Sequence, residues 1–206
     1  MPRLRQHVNP LKSDLLEIAH VPRVEAPAGE TLEVELGAAE AHFLMGRAAA
    51  QAGGLYVGVE IRRDLVSWTN GELARAGLPN VRTVFANMSV DMPRLFGEES
   101  VTRFFLNFPD PWFKSRQHKR RVIAPSLMVE VHRALRPGGE LFVQTDIFAL
   151  ALEAMATLEA MAPARFVNAR APWSFCPDNP FGAKSRRERQ CEDEGVRIWR
   201  LLYGKP

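Results

Sequence analysis

Short runs of β-branched and apolar residues alternate with longer stretches of helical periodicity along most of this 206-residue chain. Parallel strands need a crossover connection between them, and a helix is the usual one. The alternation therefore predicts a doubly wound, mostly parallel α/β sheet of the Rossmann-like type, with helices on both faces. The predicted strands are 32–36, 56–60, 81–86, 101–108, 140–145 and 196–203, and the predicted helices are 40–51, 63–76, 121–135 and 148–161.

Two segments lie outside this alternation. Residues 1–30 hold two short pieces interrupted by proline, which we interpret as an arm packed on the sheet or swinging over it. Residues 169–190 contain several prolines and a glycine and are predicted to form a long loop. The length predicts one domain, 1–206, made of this arm and a core over 31–206.

Composition narrows the class of protein. An apolar fraction of 46% with 25% charged residues is typical of a soluble globular protein. Cys176 and Cys191 are the only cysteines, so no disulfide framework is expected, which favours a reducing cytosol. The histidines and cysteines show no metal-ligand spacing, and no apolar run approaches membrane-spanning length. We expect a cytoplasmic protein without metal or membrane association, either a monomer or a homodimer.

Polar residues stand at or near the ends of five predicted strands. In an open α/β sheet, a ligand lies outside the carboxyl ends of the strands, where the strand order reverses. Each polar residue alone also marks the place where an apolar strand stops, but five in succession favour a ligand site. The five candidates are Glu35, Glu60, Asn87, Asp110 and Asp146.

The loop after the first strand limits which cofactor is expected. It reads Gly-Ala-Ala-Glu-Ala from Gly37 to Ala41, so the dinucleotide pattern G-x-G-x-x-G is absent. Glu40 at the start of a helix would repel a pyrophosphate, which argues against NAD or ATP. The loop permits a cofactor without phosphate, such as S-adenosylmethionine, and Glu60 is placed to accept hydrogen bonds from ribose hydroxyls.

The segment 107–121 joins a rigid acid to a cationic tract, and it reads Asn-Phe-Pro-Asp-Pro-Trp-Phe-Lys-Ser-Arg-Gln-His-Lys-Arg-Arg. Pro109 and Pro111 fix φ on either side of Asp110, so this carboxylate is expected in a stiff turn at a strand end. Cations at a helix start oppose the helix dipole, and the phosphates of a nucleic acid would compensate; a solvated surface face is the alternative. The cations concerned are Lys114, Arg116, Lys119, Arg120 and Arg121.

A second basic cluster occupies residues 184–189 of the predicted loop. It suits either a solvated surface or a further contact with an anionic partner. Trp173 and Phe175, just before it, could stack on nucleic-acid bases, although core packing is the more common use of such aromatic residues.

The segment 107–121 resembles the signature of the bacterial tRNA (guanine-N7)-methyltransferases, the TrmB family. The resemblance extends over most of the chain, and shorter segments support it. The arm segment 5–11, the second-strand end at Glu60, the fifth-strand end at Asp146 and the stretch 185–203 are each similar to the corresponding parts of that family. The Pro-Asp-Pro-Trp sequence with its basic tract is the most specific of these matches.

This resemblance implies the class I methyltransferase fold and the transfer of a methyl group from S-adenosylmethionine to N7 of a guanosine in tRNA, at position 46 of the variable loop. It implies that Asp110 is catalytic and that the basic tract binds the tRNA backbone. The residues implied to bind the cofactor are Glu35, Gly37, Glu60, Asn87 and Asp110. Those implied to bind the target guanosine are Lys114, Asp146, Ser185, Arg186, Arg187 and Glu188.

The sequence departs from the family at three places. The first-strand loop of the family usually carries three alternating glycines, and Ala39 and Ala41 replace two of them. A positive φ at Ala39 would cost about 1 kcal/mol or more. Asn87 stands where bacterial members mostly have Asp, although an amide can still bond an adenine amine. Arg186 and Arg187 replace the usual Lys and Phe.

Two other functions remain open from the sequence. Asn107-Phe108-Pro109 is faintly similar to the Asn-Pro-Pro-aromatic motif of amino-group methyltransferases, although Phe108 and Asp110 interrupt that pattern. The altered first-strand loop also permits a catalytically weak or silent RNA-binding relative that has lost its cofactor.

Overall fold

The computed structural model describes residues 8–18, 20–111, 122–162 and 164–206. In this part of the chain, seven strands form one sheet in the order β3-β2-β1-β4-β5-β7-β6. The first five strands are parallel to one another, whereas β7 runs antiparallel to β5 and β6. The strands are β1 Thr31–Leu36, β2 Gly54–Glu60, β3 Val81–Phe85, β4 Val101–Asn107, β5 Leu135–Thr145, β6 Val167–Asn168 and β7 Trp199–Gly204.

Helices connect these strands on both sides of the sheet. They are α1 Ser13–Leu16, α2 His42–Ala50, α3 Arg63–Arg75, α4 Met92–Leu95, α5 Pro125–Ala134, α6 Phe148–Glu159 and α7 Arg186–Asp193. Successive residues of a strand point to opposite faces, and the strands here are apolar on both. Val34 and Phe104 belong to the buried cluster that contains α5 and α6, whereas Phe105 belongs to the cluster that contains α2.

The order of the strands reverses at β1. The chain passes from β1 to β2 and β3 on one side, and then returns to place β4 and β5 on the other side. The carboxyl ends of β1 and β4 therefore diverge from a common point, where a ligand site is expected. The arm lies near this edge, because the Val24 amide donates to the Leu95 carbonyl and Asn87 donates to two carbonyls of the arm.

The predicted doubly wound α/β fold is confirmed, with changes at several boundaries. The helix expected over 40–51 begins at His42, because Ala41 has a φ of 58° and cannot be part of a right-handed helix. The β4 strand ends at Asn107, because Phe108 has a φ of 49°. The last strand begins at Trp199 rather than at residue 196, and β5 already begins at Leu135.

The long loop predicted over 169–190 is wrong in its last residues. Helix α7 begins at Arg186, where Ser185 and Glu188 form a capping box. The Ser185 hydroxyl accepts from the Glu188 backbone N–H, and the Glu188 side chain accepts from the backbone N–H of Ser185. The helix is mostly charged, so its periodicity resembles that of a polar loop, and only the Ser-x-x-Glu spacing indicates its start.

Candidate active site

A cavity opens at the carboxyl ends of β1, β2 and β4. Residues that the sequence analysis chose separately line it together: Gly37 after β1, Glu60 at the end of β2, Asn87 after β3 and Asp110 after β4. Asn107, the last residue of β4, also lines it and joins it to Glu35. The cavity lies at the point where the strand order reverses, as expected for a ligand site of this fold.

Glu35 is a buried acid whose hydrogen bonding is incomplete. One carboxylate oxygen accepts from the Asn107 amide at 2.7 Å, while Oε2 is buried without a partner within the described part of the chain. Burial raises the pKa of Glu35 to about 8, and the negative charge of Glu60 also raises it, although the Asn107 hydrogen bond acts in the opposite direction. A cationic ligand near this oxygen would relieve the unfavourable burial.

Glu60 is held by hydrogen bonds from Arg62 and from the loop after β1. The guanidinium of Arg62 binds both carboxylate oxygens at 2.8 and 2.9 Å, and the backbone N–H of Ala39 donates to Oε2 at 3.1 Å. These bonds to Glu60 raise the pKa of Arg62, and nearby Asp110 contributes in the same direction. Ribose hydroxyls that approach Glu60 would therefore compete with Arg62, a residue that the sequence analysis did not select.

The loop after β1 keeps a backbone suited to glycine although it contains alanines. Gly37, Ala39 and Ala41 have φ values of 82°, 45° and 58°, so alternate residues are in the left-handed region. The positive φ considered for Ala39 is confirmed, and Ala41 has one as well. Because each methyl group opposes this conformation, the loop has the shape that three glycines would give it, at a cost of about 1–2 kcal/mol per alanine.

Asn87 fixes the arm against the cavity. Its side-chain N–H groups donate to the carbonyls of Pro10 and Leu15, at 2.8 and 3.0 Å, and its Oδ1 accepts from the Ser89 backbone at 3.0 Å. Both amide donors are therefore used by the arm. One lone pair of Oδ1 has no protein donor among these bonds, and that lone pair is what an adenine amine would need.

Asp110 lines the cavity after a turn with a left-handed residue. Phe108, immediately before Pro109, has a φ of 49°, which is unusual for an aromatic residue and is found where surrounding structure enforces it. The Phe108 amide donates to the Gln144 carbonyl at 2.8 Å and so ties the turn to β5. Predictions for Lys114, Arg116, Lys119, Arg120 and Arg121 fall at residues 112–121, outside the described residues.

Asp146 and Arg187 form a pair at the end of β5, beside the cavity rather than in its lining. Their side chains meet at 2.5 Å, and that of Arg187 is 40% exposed. The Asp146 hydrogen bond raises the pKa of Arg187. Arg186 is exposed at the start of the same helix α7. These residues present charge to solvent near the cavity, and their contact with a guanosine stays a prediction.

Ser185 and Glu188 have a different setting, because both are buried. Glu188 accepts hydrogen bonds from Gln144, Asn179 and Arg200, at 2.9 to 3.1 Å, in addition to its part in the capping box. Its carboxylate thus joins α7 to β5, to β7 and to the segment that precedes the helix. The direct substrate contacts implied for Ser185 and Glu188 also stay a prediction.

A row of hydrogen-bonded polar side chains crosses the sheet from Glu35 on β1 to Glu188 on α7. Asn107 donates to Glu35 and accepts from Gln144 at 2.9 Å, and Gln144 in turn donates to Glu188. Gln144 is the register partner of both Asn107 on β4 and Arg200 on β7, so all three side chains lie on one face. Asn107, Gln144 and Arg200 were not predicted as site residues. The feature that could have indicated them is the presence of polar side chains within otherwise apolar strands.

Two kinds of structure are absent from the described residues. No helix there is long and apolar enough to span a membrane. No group of three or more His, Cys, Asp or Glu side chains there is arranged to hold a metal ion.

Comparisons with known proteins agree with the geometry. A family model described as a putative methyltransferase matches residues 30–201. A tRNA (guanine-N(7)-)-methyltransferase of Synechococcus sp. (strain JA-3-3Ab) is 37% identical over 205 residues, which cover 96% of this chain and 84% of the relative. Another, from Synechococcus sp. (strain JA-2-3B'a(2-13)), is also 37% identical over 205 residues, with coverages of 96% and 82%.

A solved structure supports the fold alone. Geranyl diphosphate C-methyltransferase from Streptomyces coelicolor A3(2), in complex with Mg2+, geranyl-S-thiolodiphosphate and S-adenosyl-L-homocysteine, superposes with a TM-score of 0.57. The match covers 91% of this chain and 73% of that chain at 16% sequence identity. The shared element is therefore the doubly wound sheet, whereas the substrates of that enzyme say nothing about this one.

Proposed function

The chain belongs to the tRNA (guanine-N(7)-)-methyltransferase family, and we propose that it transfers the methyl group of S-adenosylmethionine to N7 of a guanosine in tRNA. The observation that carries this proposal is the cavity at the switch point of the sheet. It gathers Gly37, Glu60, Asn87 and Asp110 from four separate stretches of sequence. The product would be 7-methylguanosine, in the variable loop at position 46 by family resemblance.

The residues around the cavity fit this cofactor. One carboxylate oxygen of Glu35 is buried without a partner among the described residues, and a cationic ligand would favour the ionised form of this acid. Glu60 offers a carboxylate at the strand end where ribose hydroxyls bind in such sheets. The alternating left-handed residues Gly37, Ala39 and Ala41 keep the loop in the shape that glycines would give it beside the cavity. When bound, S-adenosylmethionine supplies an electrophilic methyl group on a cationic sulfonium.

The part of the reaction that falls to the protein's own residues is to position the base and to stabilise the charge that develops on it. Guanine N7 carries a lone pair and no proton, so no residue has to act as a general base to make it nucleophilic. Holding N7 in line with the methyl carbon is the main requirement, because orientation can supply a large part of the barrier reduction. We propose that Asp110, which lines the cavity, accepts from the N1–H and amine edge of the base and stabilises positive charge that develops on the purine.

The substrate side has to receive a base that has left its stack. Single-stranded or splayed bases are the usual targets of sequence-specific RNA recognition. Arg187 and Asp146, on the rim beside the cavity, carry the charge that would meet the extruded nucleotide. We propose that the basic tract, residues 114–121, contacts the phosphates, and this would make binding strongly dependent on salt.

Labelled methyl transfer to bulk tRNA, followed by chain cleavage at 7-methylguanosine, tests the proposal directly. We expect Asp110→Ala to lower transfer by about 10²–10³-fold while the protein stays folded. Asp64→Ala, which removes an exposed acid from the first turn of α3, is the matched control and should keep normal transfer. Near-normal turnover in Asp110→Ala would exclude a catalytic role for Asp110.

One observation favours the silent RNA-binding alternative, because Arg62 already occupies the carboxylate that a ribose would use. Calorimetric titration with S-adenosylmethionine separates the two functions, since a silent relative would show no binding. The amino-group alternative is less favoured, because the Asn107 amide is engaged by Glu35 and Gln144 rather than directed at a substrate amine. Identification of the methylated atom in the product distinguishes it.

A further inference from the structure

A group of aromatic rings lies at the end of β5, and its members are Phe148, Phe175 and Trp199, with Arg197; we call it the aromatic patch. The ring of Phe148, the first residue of α6, is centred 4.4 Å from that of Trp199, and Phe175 is centred 5.0 Å from Trp199. The Arg197 guanidinium lies 3.9 Å from the centre of the Trp199 ring. Phe148 is 47% exposed, whereas Phe175 and Trp199 are partly buried, so the aromatic surface presented to solvent is mainly the ring of Phe148.

The direction of β7 brings this patch to the edge of the sheet that carries the cavity. Because β7 is antiparallel to β5, its first residue, Trp199, is paired with Thr145, the last residue of β5. Asp146 follows directly, and it is paired with Arg187. The patch therefore borders the rim where the target base is proposed to enter.

The chemistry and the position of the patch together indicate what kind of partner covers it. Proteins that hold unpaired nucleotides combine aromatic faces, on which bases stack, with cationic side chains that follow the backbone. Arg197 lies on Trp199. Arg187 pairs with Asp146, which directly follows the β5 residue that is the register partner of Trp199. Aromatic and arginine side chains are also enriched at protein interfaces, so this chemistry alone does not choose between RNA and protein. The position of the patch, at the edge of the sheet that carries the cavity, favours the substrate RNA.

We propose that the aromatic patch stacks on an unpaired base next to the target guanosine in the substrate RNA. This inference rests on the proposed function for its partner. Stacking is tolerant of sequence because every base has a π-face, so the patch would strengthen binding without restricting which tRNAs are used. It would also hold the neighbouring nucleotide out of the helical stack while the target base enters the cavity.

Replacement of Phe148 tests the stacking role. We expect Phe148→Ala and Phe148→Leu each to raise the dissociation constant for tRNA about tenfold, measured by fluorescence anisotropy without cofactor, and Phe148→Trp to restore it. Phe148→Leu keeps an apolar side chain and loses the aromatic face. Urea unfolding should show that both variants stay folded despite the lost ring contact with Trp199, and calorimetric titration should show unchanged cofactor affinity.

The matched control is Leu152→Ala, which removes another exposed apolar side chain, 43% exposed and one turn further along α6. We expect its tRNA affinity to remain within about twofold of the parent. Equal weakening by Leu152→Ala and Phe148→Ala would overturn stacking in favour of a general apolar contact. A self-associated form that Phe148→Ala dissociates in sedimentation, with unchanged tRNA binding, would also overturn it in favour of a second copy.

The two proposals fail in different ways. If the parent protein methylates tRNA and Phe148→Leu binds tRNA normally, stacking is wrong and the proposed function stands. If the parent protein transfers no methyl group but its tRNA affinity still depends on the ring at position 148, the proposed chemistry is wrong and the patch stands.

Discussion

The two ends of the polar row that crosses the sheet are built in opposite ways. At the β1 end, Glu35 keeps a buried oxygen without a described partner, and Ala39 and Ala41 adopt a left-handed backbone that disfavours them. At the α7 end, Glu188 is buried with hydrogen bonds from several elements of the sheet and its flanks. The β1 end, which we propose binds the cofactor, thus combines a strained backbone with a buried acceptor that has no described donor, whereas the α7 end, which we propose meets the substrate, is completed by hydrogen bonds within the protein.

The sharpest test of that contrast is Glu188→Ala. Loss of the carboxylate removes the ion-pair partner of Arg200, only 11% exposed, and one of the two acceptors of the Gln144 amide, so we expect the free energy of unfolding to fall by about 3–5 kcal/mol. Urea denaturation measures this change. Glu192→Ala on the same helix breaks a surface pair with Lys184 and should cost under about 1 kcal/mol. Equal losses in the two variants would mean that Glu188 does not organise the substrate side.

Glu35→Gln tests the incomplete side through its dependence on pH. The unfolded chain releases the Glu35 proton near pH 4.5, whereas the folded protein keeps it to about pH 8. Between these values the folded state binds more protons, so the ionisation of Glu35 lowers stability as pH rises, by about 1.4 kcal/mol for each pH unit. Glu35→Gln should remove that slope, which urea denaturation from pH 5 to 8 would reveal.

The pH dependence of cofactor binding should have the opposite sign to that of stability, and Glu35→Gln should remove it as well. A cationic ligand favours the ionised form of Glu35, so the affinity of the parent protein for S-adenosylmethionine should increase from pH 6 to 8, with release of a proton. Calorimetry in buffers of different ionisation enthalpy detects that proton. A pH-independent affinity in the parent, equal to that of Glu35→Gln, would contradict a role for this carboxylate.

Strain in the cofactor loop predicts a smaller gain. Ala39→Gly and Ala41→Gly should each raise the free energy of unfolding by about 0.5–1 kcal/mol, because relief of the left-handed alanine exceeds the entropy cost of glycine. Ala49→Gly, at an exposed and regular position of α2, should instead lower it by about 1 kcal/mol. The decisive result is the sign of the change in the free energy of unfolding, which should be positive for the two loop variants and negative for Ala49→Gly. A loss in all three variants would show that the loop is not strained.

The sequence predicted most of what local patterns determine. Strand and helix alternation predicted the doubly wound sheet, and strand-end polarity predicted the cavity residues Glu60, Asn87 and Asp110. The cross-strand pairing of Asn107 with Gln144 depends on register, which no local pattern specifies. Trp173 is 63% exposed, so the core packing favoured for it is wrong, while Phe175 packs against the core as expected.

The hydrogen bonds of Asn87 to the arm have a kinetic consequence. Val8 and Pro10 line part of the cavity, and a single neutral hydrogen bond such as that from Asn87 to the Pro10 carbonyl contributes about 1 kcal/mol. Detachment of residues 8–12 would break this bond and leave the hydrogen bonds between strands intact, while the bond from Asn87 to the Leu15 carbonyl still holds the rest of the arm. A cofactor that contacted both the sheet and this segment would stabilise its attached form, and the apparent affinity would then be reduced by the fraction of molecules in which the segment is detached. We expect exchange of spent for fresh cofactor to take place past residues 8–12 and to leave every strand in place.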